Sequence, residues 1–379
     1  MKMKERIRAP GPTPVPEQSR LTLAEENPYH RTPEVSNLIR ECVEVLQGVL
    51  QIDWPVVPIA ASGTGAMQMA VSNLVGSDEE ALVIESGKFG ERWTRLLEKR
   101  GTEVIRYRVD WGECADPAEL SSQLSSHPDV TAVFGTFVET STLVRHPVQE
   151  LGAVIGDDTL FVVDAVSGLG AEEFLPEDWD VDAFVAGSQK GLMTPPGLSF
   201  LSASERALKR ARSRETTTVY FDLLEAVDTL REDFQTPWTP SLNLIRSLRE
   251  SLACIEEEGI ESVFERHRLL GEICRHAVRE AGLQVFSSTP SNVGTAVKVP
   301  GELDAEQLRR CIHEEYGTFF PGGQKDLKGS LVRIGHLGHV DYVDLLGALG
   351  TFELGLIDQG YDIEPGEMVA AAQRKFRSG

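Results

Sequence analysis

The sequence predicts an α/β fold in which helices cover both faces of a mostly parallel sheet, followed by a smaller α+β unit. Short apolar runs alternate with segments of helical periodicity over residues 56–200. Strands that are apolar along both faces are typical of a parallel sheet buried between helices. A long stretch of helical periodicity over residues 242–282 leads into further short strands and helices. A length of 379 residues also suits two domains rather than one.

The first unit contains enough apolar runs for a seven-stranded sheet. Helices are predicted between the runs. Gly101 is placed to end one of them, and another begins where Asp116, a typical N-cap, is followed by Pro117 in the first turn. The seven predicted strands are Val56–Ala60, Ala81–Ile84, Val104–Tyr107, Val130–Phe134, Leu160–Val163, Ala183–Ala186 and Leu198–Leu201.

The second unit shows the same alternation on a smaller scale. Asp304 and Asp341 each precede a segment of helical periodicity, and the second segment is predicted to be the last long helix. The predicted strands of this unit are Leu283–Phe286, Thr295–Val299 and Leu331–Ile334. Four prolines among the first 20 residues favour an extended arm over a helix. The predicted division is an arm over residues 1–20, a large domain over residues 21–255 and a small C-terminal domain over residues 256–379.

The composition argues against nucleic-acid and membrane partners. The formal net charge of −22 repels phosphodiester backbones and anionic lipid heads, and no run approaches the roughly 20 apolar residues that span a bilayer. The N-terminal segment lacks the apolar stretch of a secretory signal. The five cysteines form no CxxC pair, so neither a disulfide framework nor a zinc cluster is predicted. We therefore expect a cytoplasmic protein that acts on small molecules and holds no metal.

Three segments carry candidate functional residues, and each follows a predicted strand, where open α/β sheets bind ligands. The turn Ser62-Gly63-Thr64-Gly65 precedes a helix whose N–H groups can hold a phosphate, or it is a plain tight turn. Asp164 ends a buried strand, where a carboxylate needs a cation or donors; it is alternatively a helix cap or a structural ion-pair partner. Lys190 follows another strand and precedes Gly191, where partial burial would make it a nucleophile; alternatively it contacts a phosphate or the backbone.

Together the three segments are the parts that pyridoxal phosphate requires. A lysine forms a Schiff base with its aldehyde, a carboxylate keeps its pyridine nitrogen protonated so that the ring accepts electrons, and a turn of small residues holds its phosphate. The combination predicts a pyridoxal-phosphate enzyme with Lys190 as the base and Asp164 at the pyridine nitrogen. Among the histidines, His336 either lines the pocket or is a satisfied loop histidine, and we expect His267 and His276, within the long helical stretch, to be solvated.

Two of these segments form a longer pattern: Val163-Asp164-Ala165-Val166-Ser167-Gly168 and Gly187-Ser188-Gln189-Lys190, with Asp164 and Lys190 26 residues apart. With this pattern the chain resembles the class V aminotransferases, most closely the alanine–glyoxylate and serine–pyruvate aminotransferase group, over residues 8–355. The resemblance implies a fold type I transferase whose large domain binds pyridoxal phosphate, and a homodimer whose subunits share their active sites. Further matching segments are Pro10-Gly11-Pro12, Gly87-Lys88-Phe89-Gly90, Ser247-Leu248-Arg249-Glu250-Ser251 and Val332-Arg333-Ile334-Gly335.

The family pattern also implies roles for individual residues. Lys190 would form the Schiff base and shuttle a proton, and Asp164 would pair with the pyridine nitrogen. Arg333 would bind the substrate carboxylate as a bidentate fork, and Gly11 would lend its backbone to the substrate pocket. The other cofactor contacts would be Thr64, Gly65, Ala66 and Gln189 at the phosphate, Thr236 and Thr239 at the partner subunit's phosphate, Phe89 and Val166 on the two faces of the ring, and Ser141 at the ring hydroxyl.

Some positions have a structural alternative or depart from the pattern. Arg333 is alternatively an ion-pair partner, and Phe89 is alternatively plain core. Phe137 and Leu143 stand where the family often has histidine and glycine, which changes one wall of the predicted site. Phe89 is also smaller than the tryptophan that is common in the group.

The leading functional prediction is transamination by a ping-pong mechanism, in which alanine or serine donates the amino group and glyoxylate or pyruvate accepts it. The alternatives on the same scaffold are an aspartate or 2-aminoethylphosphonate transaminase, or a lyase; Arg31, Arg145 or Arg246 could each serve a second acid group. Cysteine desulfuration is disfavoured because residues 318–333 contain no cysteine. A non-catalytic binding module is the remaining class, and its mark would be loss of the lysine or the aspartate.

Overall fold

The computed structural model describes residues 4–214 and 218–378, so the first three residues of the predicted arm and the last residue of the predicted C-terminal domain lie outside the described residues. The strands are β1 (Arg6–Ile7), β2 (Val56–Ile59), β3 (Glu80–Glu85), β4 (Glu103–Arg108), β5 (Val130–Thr136), β6 (Val138–Glu139), β7 (Val144–Arg145), β8 (Leu160–Asp164), β9 (Ala183–Gly187), β10 (Ser199–Ala203), β11 (Gln284–Val285), β12 (Gly294–Lys298), β13 (Thr318–Phe319) and β14 (Leu331–Gly335). The helices are α1 (Glu17–Leu21), α2 (Pro33–Leu50), α3 (Gly63–Leu74), α4 (Gly90–Arg100), α5 (Pro117–Ser126), α6 (Val148–Gly152), α7 (Glu205–Arg212), α8 (Leu223–Asp233), α9 (Leu242–Glu258), α10 (Ile260–Glu280), α11 (Ala305–Tyr316), α12 (Tyr342–Asp358) and α13 (Glu367–Ser378).

The predicted seven-stranded, mostly parallel sheet is confirmed. Its strand order is β2-β10-β9-β8-β5-β3-β4, and β10 is the strand that runs antiparallel to its neighbours. Strands β8, β9 and β10 are buried along their whole length, as expected for strands that are covered on both faces. Because β2, β8 and β9 run in the same direction, their carboxyl ends lie at one edge of the sheet.

Local sequence signals set several helix ends as predicted. The side chain of Asp116 accepts a hydrogen bond from the N–H of Ala118 at 2.9 Å at the start of α5. Gly101 ends α4 with a φ of +96°, and Asp304 and Asp341 cap α11 and α12. Across the described ranges, no helix is long and apolar enough to cross a membrane.

The helical stretch predicted over residues 242–282 is confirmed, and it consists of two helices, α9 and α10, separated at Gly259, which adopts a φ of +82°. Two other expectations about the helices are wrong. The arm ends before residue 20, because α1 begins at Glu17 and residues 17–27 contain no proline that would oppose a helix. Helix α12 is followed by α13, whose buried residues are one methionine and two alanines, too small a set to give a strong apolar pattern.

The second unit has its own sheet and its own core. Strands β11, β12 and β14 form an antiparallel sheet in that order, and α10 and α13 pack on each other. Leu308, Val332 and Phe352 belong to a hydrophobic cluster that is separate from the larger cluster of the seven-stranded sheet. These features fit the predicted α+β unit, and its boundary at residue 255 stays a prediction.

The N-terminal arm connects the two units. Strand β1 pairs in parallel with β13, Arg8 forms an ion pair with Asp344, and the N–H of Gly335 donates to the carbonyl of Arg8 at 2.8 Å. A few residues later, the N–H of Thr13 donates to the carbonyl of Gln189 at 3.1 Å. The arm therefore runs from the C-terminal unit to the carboxyl edge of the large sheet.

Two buried histidines lie beside the turn that follows β14, and the expectation that His267 is solvated is wrong. His267 is fully buried; its Nδ1 donates to the carbonyl of Val263 at 2.7 Å, and its Nε2 accepts from the N–H of Gly338 at 2.9 Å. His336 is also fully buried and donates from Nδ1 to the carbonyl of Asn292 at 3.0 Å. Burial lowers the pKa of each ring to about 3, so both are neutral at pH 7.

Acidification is therefore expected to destabilise the fold through these two side chains. An unfolded histidine gains a proton near pH 6.5, whereas His267 and His336 resist protonation in the folded protein down to about pH 3. The free energy of unfolding should fall as the pH drops from about 6.5 toward 4, by roughly 1.4 kcal/mol per pH unit for each ring. Urea unfolding at several pH values measures this slope. His267→Gln should be less stable at pH 7 but show a shallower slope, and an unchanged slope would contradict the assignment.

Candidate active site

A cavity of about 250 Å³ lies at the carboxyl edge of the large sheet. Its walls come from the end of β8, the loop after β9, the start of α3 and the N-terminal arm. The three segments singled out in the sequence therefore meet in one place. The lining residues are Gly11, Pro12, Ser62, Gly63, Thr64, Met67, Phe89, Arg92, Asp164, Val166, Gln189, Lys190 and Pro196.

Lys190 is 8% exposed, and its amine is held by the arm. Nζ donates a hydrogen bond to the carbonyl of Pro10 at 2.7 Å. Gly11 packs on the same side chain, because a Cβ there would lie 2.2 Å from Lys190 Cδ. The pKa of Lys190 is lowered to about 8, first by burial and then by the positive charge of Arg333, against the opposite effect of Asp164. A lysine of this kind is partly neutral near pH 7 to 8 and can act as a nucleophile and as a base.

Asp164 is the last residue of β8 and is 4% exposed. Its Oδ1 accepts a hydrogen bond from the N–H of Val166 at 2.9 Å. Burial raises the pKa of Asp164 to about 6, while the positive charges of Arg92 and Lys190 act in the opposite direction. Because a buried carboxylate is costly without a cation or several donors, a positively charged ligand group next to Asp164 would stabilise its charged form.

The first turn of α3 is the predicted phosphate site. Gly63 lies so close to the site that a Cβ there would be 3.0 Å from Val166 Cγ2. The N-cap residue Ser62 makes no side-chain capping bond, so no side chain competes for the N–H groups of the first turn. Gly65 and Ala66 do not line the cavity, and their N–H groups donate back to the carbonyl of Ser62 at 2.7 and 3.3 Å.

Arg92 is a cation in the cavity that the sequence reasoning missed. Its Nη1 donates to Thr64 Oγ1 at 3.0 Å, and its guanidinium carbon lies 4.6 Å from the centroid of the Phe89 ring. The spacing of three residues from Phe89, at the start of a helix, is the signal that could have found it, since such residues share a helix face.

Gln189 carries a buried polar atom without a partner. Its side chain lines the cavity, yet in the part of the chain that the structure describes, its Oε1 accepts no hydrogen bond. An orphan of this kind costs free energy unless a ligand or water satisfies it. The amide can equally turn its NH₂ group into the cavity, because its two ends are interchangeable in shape.

Two predicted contacts are engaged behind the cavity. Ser141 is fully buried; its hydroxyl donates to Glu139 and accepts from the N–H of Lys88 at 3.1 Å. Arg333 is 7% exposed and donates from Nη1 to the carbonyl of Thr140 at 2.7 Å and from Nε to a second backbone carbonyl. Neither residue lines the cavity, so their contacts with cofactor and substrate stay predictions.

Thr236 and Thr239 also lie away from the cavity of their own chain. Thr236 is buried and donates from its hydroxyl to the carbonyl of Trp238 at 2.6 Å, whereas Thr239 is exposed. Thr236 lines a separate, open surface cavity of about 800 Å³ together with Arg31 and Arg40. Their predicted role, at the phosphate of a partner subunit, stays a prediction.

Phe137 and Leu143, which depart from the family pattern, are fully buried and do not line the cavity. Phe137 packs against Phe174 and Trp179, with ring centroids 5.2 and 5.9 Å apart respectively. The departures therefore change the core behind the site rather than its lining.

The residues present fit pyridoxal phosphate. Asp164 needs a positively charged partner, which a protonated pyridine nitrogen would provide, and Lys190 has the lowered pKa that suits reaction with an aldehyde. The first turn of α3 lacks a side-chain cap, so its N–H groups can donate to a phosphate group. The Gln189 amide, whose oxygen has no donor in the described residues, can also donate to a phosphate once its NH₂ group is turned into the cavity.

A mostly parallel seven-stranded sheet with a buried aspartate and a buried lysine at its carboxyl edge defines the class of fold type I transferases. The family model for aminotransferase class-V matches residues 20–317. The chain belongs to this family, and it is an aminotransferase. The resemblance that the sequence motifs predict is thereby confirmed.

Similar proteins match this chain over nearly its full length. An uncharacterised aminotransferase of Methanocaldococcus jannaschii is 35% identical over 373 residues, which cover 97% of each chain. The serine–glyoxylate aminotransferase of Methylorubrum extorquens is 32% identical over 382 residues, covering 97% of this chain and 95% of the relative. The crystal structure of the ureidoglycine–glyoxylate aminotransferase of Bacillus subtilis superposes with a TM-score of 0.93 at 27% identity, covering 100% and 99% of the two chains.

Proposed function

We propose that this protein uses pyridoxal phosphate to transfer an amino group from alanine or serine to glyoxylate or pyruvate. The observation that carries the proposal is that Lys190, Asp164 and the uncapped start of α3 meet in one cavity of about 250 Å³. Two of the similar proteins are named for glyoxylate, which supports a small keto acid as the acceptor.

The chain's own residues account for binding and proton transfer. Bound pyridoxal phosphate supplies an electron sink for the charge that develops at the substrate α-carbon. Lys190, with a pKa of about 8, can take up and release a proton near neutral pH and moves it from and to that carbon. Asp164 stabilises positive charge at the pyridine nitrogen, and Thr64 with the first turn of α3 holds the phosphate. Burial of Lys190 and Asp164 keeps water from competing for the proton.

Arg333 is proposed to bind the substrate carboxylate, with the backbone of Gly11 completing the pocket. The positive charge of Arg333 lowers the pKa of Lys190. Its Nη1 and Nε donate hydrogen bonds to backbone carbonyls. Of the residues that the structure describes, none accepts a hydrogen bond from Nη2, so this nitrogen is left for a ligand. Arg92, the arginine that lines the cavity, is engaged by Thr64 and the Phe89 ring. Arg333 is then one arginine for one substrate carboxylate, which favours alanine or serine over aspartate.

Arg333→Lys is expected to raise the KM for the amino donor by about ten- to a hundredfold with a smaller effect on kcat. Lysine keeps the charge but loses the planar fork that contacts the carbonyl of Thr140 and the substrate together. Steady-state kinetics measure the change. Arg309→Lys is the matched control, because Arg309 is a partly buried arginine of the same unit that pairs with Glu306. Equal KM values in both variants would make Arg333 a structural residue.

The visible absorption spectrum with pyridoxal phosphate tests the function directly. We expect the protein with pyridoxal phosphate to show a visible absorption band. L-alanine, L-serine and L-aspartate are added one at a time, and one of them should bleach the band. Glyoxylate or pyruvate should then restore it. Two separable half-reactions require parallel double-reciprocal plots, the mark of a ping-pong mechanism. A band that no amino acid bleaches would favour a lyase or a 2-aminoethylphosphonate transaminase. Absence of any band would show that the assignment of pyridoxal phosphate as the cofactor is wrong.

We further propose a cytoplasmic homodimer with shared active sites. Thr236 and Thr239 lie outside the cavity of their own chain, and next to them Trp238 stacks on Tyr220, whose neighbour Val219 is 88% exposed. An apolar surface of this kind suits coverage by a second copy of the chain. The described cysteines are free thiols, which suits a reducing compartment. Light scattering measures the mass in solution, and a monomer with full activity would contradict shared sites.

A further inference from the structure

We infer that Glu139 is a positioning residue of this active site: its carboxylate holds the turn that carries Phe89, and its neighbour Thr140 holds Arg333. The inference rests on the proposed function, because Phe89 and Arg333 affect the reaction only if the cavity takes up cofactor and substrate. Glu139 does not line the cavity and acts through these two side chains.

The carboxylate of Glu139 is fully buried and receives four hydrogen bonds. Oε2 accepts from the N–H groups of Phe89 at 2.9 Å and Gly90 at 3.2 Å. Oε1 accepts from the N–H of Ser141 at 3.0 Å and from the hydroxyl of the same residue. Burial raises the pKa of Glu139, and each of the four hydrogen bonds opposes that rise. Donors of this number stabilise the charged form of a buried carboxylate.

Three consecutive N–H groups at the start of α4 donate hydrogen bonds to side chains of residues 139–141. The N–H of Lys88 donates to Ser141 Oγ at 3.1 Å, while those of Phe89 and Gly90 donate to Glu139. Helix α4 has no side-chain cap of its own. Glu139 takes the place of a local cap, and its negative charge lies at the positive end of the helix.

Close packing of this turn leaves little freedom to the Phe89 ring. A Cβ on Gly87 would lie 2.5 Å from Glu139 Cδ, so the backbone of the turn is in direct contact with the carboxylate. The ring of Phe89 lines the cavity, and Arg92 links it to the hydroxyl of Thr64. A shift of the turn would therefore move the aromatic wall and disturb the predicted phosphate site.

The residue after Glu139 connects the same segment to Arg333. The carbonyl of Thr140 accepts from Arg333 Nη1 at 2.7 Å, and its hydroxyl hydrogen-bonds Ser167 in the loop that follows β8. The negative charge of Glu139 raises the pKa of Arg333, which burial lowers, and it also raises the pKa of Lys190. Loss of this charge would therefore lower the pKa of Lys190, which faces the cofactor, and that of Arg333, which is proposed to bind the substrate.

Glu139→Gln tests the inference, because glutamine keeps the size but places an NH₂ group against N–H donors. We expect the dissociation constant for pyridoxal phosphate, measured by tryptophan fluorescence of the cofactor-free protein, to rise about tenfold. The pH midpoint of the visible band should fall, because a negative charge near Lys190 is lost. Binding of propionate, a carboxylate without an amino group, should weaken about tenfold at Arg333.

Glu172→Gln is the matched control. Glu172 is also a buried carboxylate, which accepts from the N–H of Asn292 at 2.7 Å and pairs with Arg145, and none of the three lines the cavity. This variant should lose thermal stability while cofactor affinity, band midpoint and propionate affinity stay at wild-type values. If Glu139→Gln behaves in the same way, Glu139 is only a helix cap and the inference is wrong.

Ser141→Ala covers the case in which Glu139→Gln does not fold. It removes one donor to Glu139 and the acceptor of the Lys88 N–H, and should weaken propionate binding at Arg333 by a smaller amount than Glu139→Gln does. A loss of cofactor affinity alone would reflect the predicted direct contact of Ser141 with the cofactor and would count against the inference. Wild-type values in Ser141→Ala would overturn the inference. A wild-type protein that shows no visible band would instead overturn the proposed function, so the two failures are distinguishable.

Discussion

Lys190→Ala is expected to lower the rate of transamination by at least about a thousandfold and to abolish the visible band of the protein with pyridoxal phosphate. No other lysine lines the cavity in the described ranges, so no second amine can take over the covalent bond or the proton transfer. The fold should be retained, because removing a buried cation relieves a desolvation cost. Stopped-flow measurement of a single half-reaction separates the chemical step from product release.

Lys88→Ala is the control for this change. The side chain of Lys88 is 44% exposed and lies near Glu91, outside the cavity lining. Added methylamine should partly restore proton transfer in Lys190→Ala, because it can occupy the space of the missing amine. Wild-type turnover by Lys190→Ala would show that Lys190 is not the catalytic base, and would revive a non-catalytic assignment for it.

Asp164→Asn is expected to slow turnover by about a hundred- to a thousandfold and, in the absence of cofactor, to stabilise the protein at neutral pH. Folding raises the pKa of this carboxyl from 3.8 to about 6. The folded state therefore favours the protonated carboxyl, and the stability that it contributes is lost as the pH rises through about 6. Asparagine avoids that cost and still accepts the Val166 N–H, so it should gain up to about 3 kcal/mol above pH 7.

Thermal unfolding with and without pyridoxal phosphate checks both parts of the Asp164 prediction. Without cofactor, the advantage of Asp164→Asn should be present at pH 7.5 and shrink as the pH falls from about 6 toward 3.8, below which the wild-type carboxyl is mostly protonated in both states. With cofactor, the wild type should be the more stable protein, because its carboxylate then faces a cation. An Asn variant that binds cofactor and turns over like the wild type would remove Asp164 from the catalytic machinery.

Much of the fold and the centre of the site follow from local patterns. Asp164 and Lys190 each come after an apolar run that marks a buried strand, and the carboxyl ends of neighbouring parallel strands share one edge of a sheet. Their proximity in space was therefore predictable from residue types and spacing alone. The same holds for helix ends such as Gly101 and Asp116, where the capping residue itself is the signal.

The residues behind the site could not be predicted in this way. The carboxylate of Glu139 bonds the N–H of Phe89, 50 residues earlier in the chain, and a backbone donor leaves no trace in the residue types. The predicted contact of Ser141 with the ring hydroxyl likewise came from the family resemblance and stays a prediction. The hydrogen bonds of the Ser141 hydroxyl to Glu139 and from the Lys88 N–H could not be predicted from the sequence. The prediction that His267 is solvated was wrong because the residue that buries its ring, Gly338, is 71 residues away in the sequence.

Synthesis on the ribosome delivers the N-terminal arm long before the residues that hold it. Arg8 and its partner Asp344 are 336 residues apart, so at about 5–20 residues per second the arm waits tens of seconds for its anchor. Contacts between such distant positions form late in folding, after the more local strand pairs. We therefore expect the seven-stranded sheet to assemble on the nascent chain while the arm is held by Thr13 at Gln189 but not yet by Asp344, so that the carbonyl of Pro10, the acceptor for the Lys190 amine, is fixed from one side only. Chains stalled before Asp344 should be compact but unable to retain the cofactor, so the newly made enzyme stays inactive until its last helices leave the ribosome.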